Sequence, residues 1–221
     1  MNYYILSNST DEKVVGDIPQ VKMGHDYDFD KYNSVRNISR YNFPEFDPDL
    51  NFFVMTPKAK PTDVITVSGL ISAKGFLINE KAKNILDKHK LVSHKYYVTK
   101  VYYKNQSFPY YWWHVVSDLT HCIDYNQTTF MIKRLFKVEV DNLTIDTGED
   151  LKKKKHEIGT LKNMVPNTLV LNNAFDKTLD LFIIGGFNDE IFISEKMKLE
   201  LEQQKISGVE IITPQFPIKV A

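Results

Sequence analysis

Apolar residues along this chain cluster in short runs of strand length, and only a few stretches carry the wider spacing of a helix. Residues 3–7 open it with an aromatic and branched run that predicts a strand. From about residue 16 to residue 61 the pattern dissolves. That stretch is polar and aromatic, broken by Pro19, Pro44, Pro48, Pro57 and Pro61, and predicts irregular structure with one short strand around residues 51–56. A loop-rich stretch of this length is either functional or wrapped over a core. Residues 64–67 predict another short strand.

The clearest helix starts at Asn79. Asn79 is a good N-cap, Glu80 puts negative charge in the first turn, and Lys88 and Lys90 follow near the end. Ala82, Ile85, Leu86 and His89 then share one buried face. Residues 95–104 and 110–117, dense in Tyr, Trp and Val, predict an antiparallel hairpin with a five-residue loop at 105–109. Residues 129–140 would extend the same sheet. Residues 150–161, with Lys152, Lys153, Lys154 and Lys155, predict a helix with a solvated face. Residues 168–171, 181–184 and 190–193 predict strands, and Gly185-Gly186 allows a bend between the last two. Ser194 caps a helix to about residue 204, with Met197 and Leu201 as an i, i+4 pair, and Gly208 turns the chain into a strand at 209–213. No repeat of 20–50 residues recurs. The prediction is an α+β fold, mostly antiparallel sheet with about three helices. A loop-rich N-terminal region (1–70) would pack on an α+β core (71–221), within one unit.

Composition narrows the function more than the fold. Twenty-eight Lys and Arg against 28 Asp and Glu leave no net charge, which removes the broad field a general nucleic-acid binder uses to collect phosphate. A local basic patch is still compatible with that balance, but no nucleic-acid partner is expected. With 43% hydrophobic and 25% charged residues, the chain suits a globular protein with a real core. The one cysteine, Cys122, cannot form an internal disulfide or supply a thiolate-rich zinc site. The N-terminus lacks a basic region followed by a long apolar stretch, and no run reaches the ~18 apolar residues of a membrane-spanning helix. The expected setting is therefore cytoplasmic, with no membrane partner. Sequons at Asn8, Asn37, Asn105, Asn126 and Asn142 then read as a product of composition, not as glycosylation sites.

The densest polar cluster is His114, Asp118, His121, Cys122 and Asp124, just after Trp112-Trp113. Each is competent as a metal ligand or acid–base group. Without a helical His-x-x-x-His or a Cys-x-x-Cys pair, the spacing favours a hydrogen-bonded structural cluster, so neither a metal nor a cofactor is expected. Adjacency of His121 and Cys122 argues against a nucleophilic dyad, because neighbours on a strand point to opposite faces. Asp26, Asp28 and Asp30 mimic the start of a calcium loop. The required glycine is Lys31 and the required acid is Asn37, so the pattern fails. These aspartates either solvate an aromatic loop or present acid to a basic partner. Tyr110, Trp112 and Trp113, with Tyr96, Tyr97, Tyr102, Tyr103 and Tyr111, make the hairpin aromatic on both faces. That fits a buried sheet, and it equally fits a partner-binding face, since Tyr and Trp offer large contact area with few rotors.

Three stretches resemble a family of bacterial immunity proteins found beside polymorphic toxins. The first runs through residues 75–86, Gly75-Phe76-Leu77-Ile78-Asn79-Glu80 onward, to His94-Lys95-Tyr96-Tyr97. The second is Tyr111-Trp112-Trp113-His114-Val115-Val116, leading to Asp118 and Cys122-Ile123-Asp124-Tyr125. The third is Ile193-Ser194-Glu195-Lys196-Met197-Lys198, ending in Ile206-Ser207-Gly208-Val209-Glu210-Ile211. The similarity covers roughly residues 70–214 and brings no catalytic residues with it. It implies a protein that neutralises a cognate toxin by binding, with Tyr110, Trp112, Trp113, His114, Asp118, Asp124, Asp26, Asp28 and Asp30 as candidate contacts. The rival reading is a small hydrolase using His114, Asp118, His121 or Asp124, which requires them to line one pocket. A third is a structural or envelope-associated binding module.

Overall fold

The computed structural model describes residues 2–221 apart from 25, 68, 72, 135–141, 159–161 and 188. In chain order the elements begin with β1 (Tyr3–Asn8), α1 (Glu12–Val15), β2 (Val21–Met23), β3 (Phe53–Met55), β4 (Val64–Thr66), β5 (Gly75–Ile78) and α2 (Glu80–Leu86). They continue with β6 (His94–Tyr103), β7 (Gln106–Val115), β8 (Thr129–Arg134), β9 (Asn142–Leu143) and α3 (Gly148–Ile158). The last are β10 (Lys162–Leu171), β11 (Leu181–Phe182), β12 (Ile191–Ser194), α4 (Glu195–Gln203), β13 (Val209–Ile212) and β14 (Ile218–Val220). The fold is α+β, with more strand than helix and with four helices among the described residues. The chain divides into two units, which do not follow a boundary at residue 70. One holds residues 7–116 and 199–211, and the other holds 2–6, 117–198 and 212–221.

The first unit is organised by a six-stranded sheet in the order β2-β3-β6-β7-β5-β4. Only the β3–β6 pair in it is parallel. The hairpin β6–β7 is its centre, and the connection is tighter than the five residues expected. Lys104 and Asn105 alone make the turn, with φ of 46° and 62°. A two-residue turn with both φ values positive matches the right-handed twist of the strands it joins. Gln106, Ser107, Phe108 and Pro109 are therefore strand residues. Pro109 is tolerated because β5 pairs only with residues 111–114 of β7, so this end of β7 has β6 as its one strand neighbour.

Period-two alternation sorts the hairpin side chains into two sets. Tyr97, Thr99 and Val101 share a face with Tyr110, Trp112 and His114. The long loop between α1 and β4 closes over that face: Val35, Ile38, Leu50 and Phe52 join Phe53, Leu77, Val101, Tyr110 and Trp112 in one buried cluster. Irregular sequence here wraps a core, and it also contributes β2, a strand its composition did not predict. On the opposite face α2 packs against β5 and β7. The Asn79 side chain accepts the Ala82 N–H at 3.0 Å, and Ala82, Ile85 and Leu86 are buried as expected. The helix stops at Leu86, so His89 lies beyond it; it is still buried, with Nε2 3.0 Å from Glu200 Oε2.

The second unit contains β11, β12 and β1 as antiparallel neighbours and a separate sheet, β14-β10-β8-β9. β8 therefore does not extend the hairpin sheet as expected; it pairs with β10 and β9. Nothing local to residues 129–134 distinguishes one sheet from another, and pairing is settled by distant partners. Residues 135–140 of that expected strand lie outside the described residues, as do 159–161 of the expected helix now seen as α3. Gly186, at φ 71°, packs so tightly that a Cβ would come within 2.6 Å of Leu151 and 2.7 Å of Thr120. At the start of α4, Ser194 Oγ accepts the Met197 N–H at 3.2 Å and donates to Asp180 at 2.6 Å, while Met197 is buried.

Candidate functional site

The aromatic candidates are core residues. Tyr110, Trp112, Trp113 and His114 are all buried, with Trp112 and His114 fully so. Trp112 is stacked between Tyr97, at 5.4 Å between centroids, and His114, at 4.6 Å and 17°. Phe43 meets the other side of His114 edge-on at 5.2 Å. Tyr110 donates its hydroxyl to the Thr62 carbonyl at 2.7 Å. Trp113 points the other way, towards Phe76. As placed, these side chains cannot meet a partner; they hold the sheet together. Of the two readings left open for the hairpin, burial accounts for these four residues.

Burial also sets the chemistry of His114. Loss of solvent, reinforced by the nearby Lys95 charge, pushes its imidazole down to about 4. The Ser39 backbone stands close enough to oppose this shift, yet neither ring nitrogen reaches hydrogen-bond geometry with a described residue. The ring is neutral near pH 7 and shielded from water.

The remaining polar candidates sit on turns of the second unit. Asp118 Oδ1 accepts the Thr120 N–H at 3.1 Å and the Thr120 hydroxyl at 2.6 Å, while Lys152 donates to Oδ2 at 2.6 Å. Burial alone would raise this carboxyl, but Lys152 and Thr120 together hold it below its usual range. Asp124 receives the backbone N–H groups of Asn126 and Gln127 and the Gln127 amide at 2.6 Å. Between them, His121 is exposed and Cys122 is buried, its thiol pushed up by burial. Asp118 and Asp124 thus order the chain before β8, which is turn chemistry. His114 belongs to a different unit from Asp118, His121 and Asp124. Among the described residues no three His, Cys, Asp or Glu side chains are grouped to hold a metal ion.

Asp26, Asp28 and Asp30 are exposed in the loop that covers the hairpin core. Asp28 accepts the Asp30 N–H at 3.0 Å, and Asp30 lies 3.8 Å from Arg36. The same loop exposes Tyr32, Tyr41 and Phe29. Two further exposed apolar residues, Val98 and Tyr102, lie on β6, and no pattern marked them out from their buried neighbours Thr99 and Val101. Alternation does identify them as one face; it does not say which face is covered. No helix among the described residues is long and apolar enough to cross a membrane.

No curated protein matches the chain. A family model does, over residues 2–213, and so reaches through the N-terminal loop region that the sequence patterns had left almost unmatched. A match across nearly all 221 residues takes in both units, and by it the chain belongs to the immunity protein family (Imm11).

Proposed function

We propose that this protein protects its cell by binding a cognate toxin in the cytoplasm and occluding it, without catalysis of its own. The observation that carries this reading is the family match over residues 2–213. The placement of the polar candidates supports the non-catalytic part: Asp118 and Asp124 are engaged as turn caps, and His114 is sealed among aromatic rings. Occlusion requires a stable interface, on the order of 1,600 Å² in total, with an apolar centre that excludes water and a charged rim that sets partner choice. Asp26, Asp28 and Asp30 are exposed beside Tyr32 and Tyr41 in the covering loop, and whether they contribute to the interface is read from their exchange for asparagine.

The test uses the toxin domain encoded by the gene adjacent to this one. Co-expression of the intact protein is expected to restore growth, and the purified pair is expected to associate with nanomolar-class affinity. The variants His121→Ala, Asp118→Asn and Asp124→Asn should still protect, provided that circular dichroism shows them folded. Loss of protection in a folded variant that still binds would overturn the non-catalytic reading.

A further inference from the structure

The six-stranded sheet is covered unequally. Its inner face is closed by the loop between α1 and β4. Among the described helices, α2 lies on its outer face at the β5 end, against β5 and β7. At that margin Lys83 reaches over the Tyr96 ring at 4.8 Å, and Tyr111 donates to Glu80 at 2.7 Å. Further along the hairpin, the outward side chains are open to solvent. Val98 is 79% exposed and Tyr102 39%, although both sit on a central strand of the sheet. A β-branched residue left that bare in mid-sheet forgoes the burial that ordinarily stabilises such a position.

The pairing register shows what surrounds them. Lys22, Val54, Tyr102 and Ser107 lie side by side across β2, β3, β6 and β7. The neighbouring rows place Lys100 opposite Pro109 and Val98 opposite Tyr111. Every outward strand position of this sheet is apolar, aromatic, a hydroxyl, a histidine or a lysine. None is a carboxylate; the acids at the α2 margin are engaged, Glu80 by Tyr111 and Asp87 by Lys83 and Tyr96. Lys22 and Lys100 are exposed and form no ion pair among the described residues.

We propose that this uncovered half of the outer sheet face, centred on Val98 and Tyr102 and bordered by Lys22 and Lys100, is the docking surface for an acidic protein partner. The inference rests on the immunity reading, which makes that partner the toxin. Charge complementarity selects the occupant: an apolar contact ringed by Asp or Glu matches two unpaired lysines, whereas a basic partner would be repelled. Val98 and Tyr102 provide the water-excluding centre, and the lysines steer the encounter.

The experiment measures binding of the full-length protein to the adjacent-gene toxin domain by biolayer interferometry at low and physiological salt. Val98→Asp is expected to weaken binding about 100-fold, and Lys22→Glu with Lys100→Glu to slow association about tenfold at low salt. The triple exchange Asp26→Asn, Asp28→Asn, Asp30→Asn is expected to bind within about threefold of wild type. All six substituted positions are exposed, and unchanged tryptophan emission confirms the fold of each variant. If the sheet-face variants bind like wild type, or if only the aspartate variant loses binding, the docking face is overturned while immunity stands. If the wild-type protein does not bind this toxin at all, the immunity reading itself fails.

Discussion

Replacing Asp63 should show how much of the first unit depends on one carboxylate. Asp63 Oδ2 accepts the Ser207 N–H at 2.8 Å and the Ser207 hydroxyl at 2.8 Å, and Oδ1 accepts the Asn79 amide at 2.9 Å. Lys81 lies 3.4 Å away and is half exposed, so it adds little. One side chain therefore ties the segment after α4 to the residue that caps α2. Burial alone would raise this carboxyl, but the Ser207 and Asn79 hydrogen bonds, with Lys81, hold it below 3.8. Each hydrogen bond to a charged acceptor is worth roughly 1.5–3 kcal/mol, and water replaces part of what is lost. Asp63→Ala should thus cost about 3 kcal/mol, and Asp63→Asn about half that, because the amide keeps one acceptor oxygen.

Urea unfolding read by tryptophan emission is the assay. Both tryptophans, Trp112 and Trp113, are buried in this unit, so their emission reports its unfolding. A loss of 3 kcal/mol lowers the midpoint by about 1–2 M for a typical urea dependence. The pH profile adds a second reading. Because the folded carboxyl titrates below its unfolded value, its contribution is full above 3.8 and is lost as pH falls through the lower, folded value. The gap between wild type and Asp63→Asn should therefore close in acid. An Asp63→Ala midpoint within about 0.3 M of wild type at neutral pH would refute the reasoning.

Two further outcomes follow from buried groups. His114→Phe should flatten the acid side of the stability profile. The wild-type ring stays neutral down to about pH 4 while the unfolded chain protonates near 6.5, so stability falls between those values by on the order of 3 kcal/mol, a slope the variant lacks in urea titrations. Ser194→Ala removes both the cap on the Met197 N–H and one donor to the Asp180 carboxylate, which Lys196 still contacts, and should cost about 1–2 kcal/mol. Amide exchange in β11 and β12 should accelerate in that variant; unchanged exchange would count against the cap.

Short-range signals in the sequence translated faithfully into structure. Asn79 and Ser194 cap the helices they were expected to cap, because an N-cap is a contact between residues three apart. The hairpin appeared in the right place for the same reason. Its loop length was misjudged, since Gln106–Pro109 look like loop residues while Lys104-Asn105 supply the positive φ values that a two-residue turn needs. Asp63 and Ser207, 144 positions apart, were invisible as partners. The polar cluster at 114–124 was not kept within one unit: His114 belongs to one and Asp118, His121 and Asp124 to the other.

The α+β class, the capped helices, the aromatic hairpin and the likeness to immunity proteins could all be read from local patterning, because each depends on residues within a few positions of one another. Burial could not. Trp112 and Val98 both belong to an aromatic, branched hairpin, yet one is sealed and the other bare. The difference comes from a distant loop that closes one face of the sheet and a seven-residue helix that covers only part of the other. Alternation divides a strand into two faces, and which of them meets water depends on what the rest of the chain brings to each.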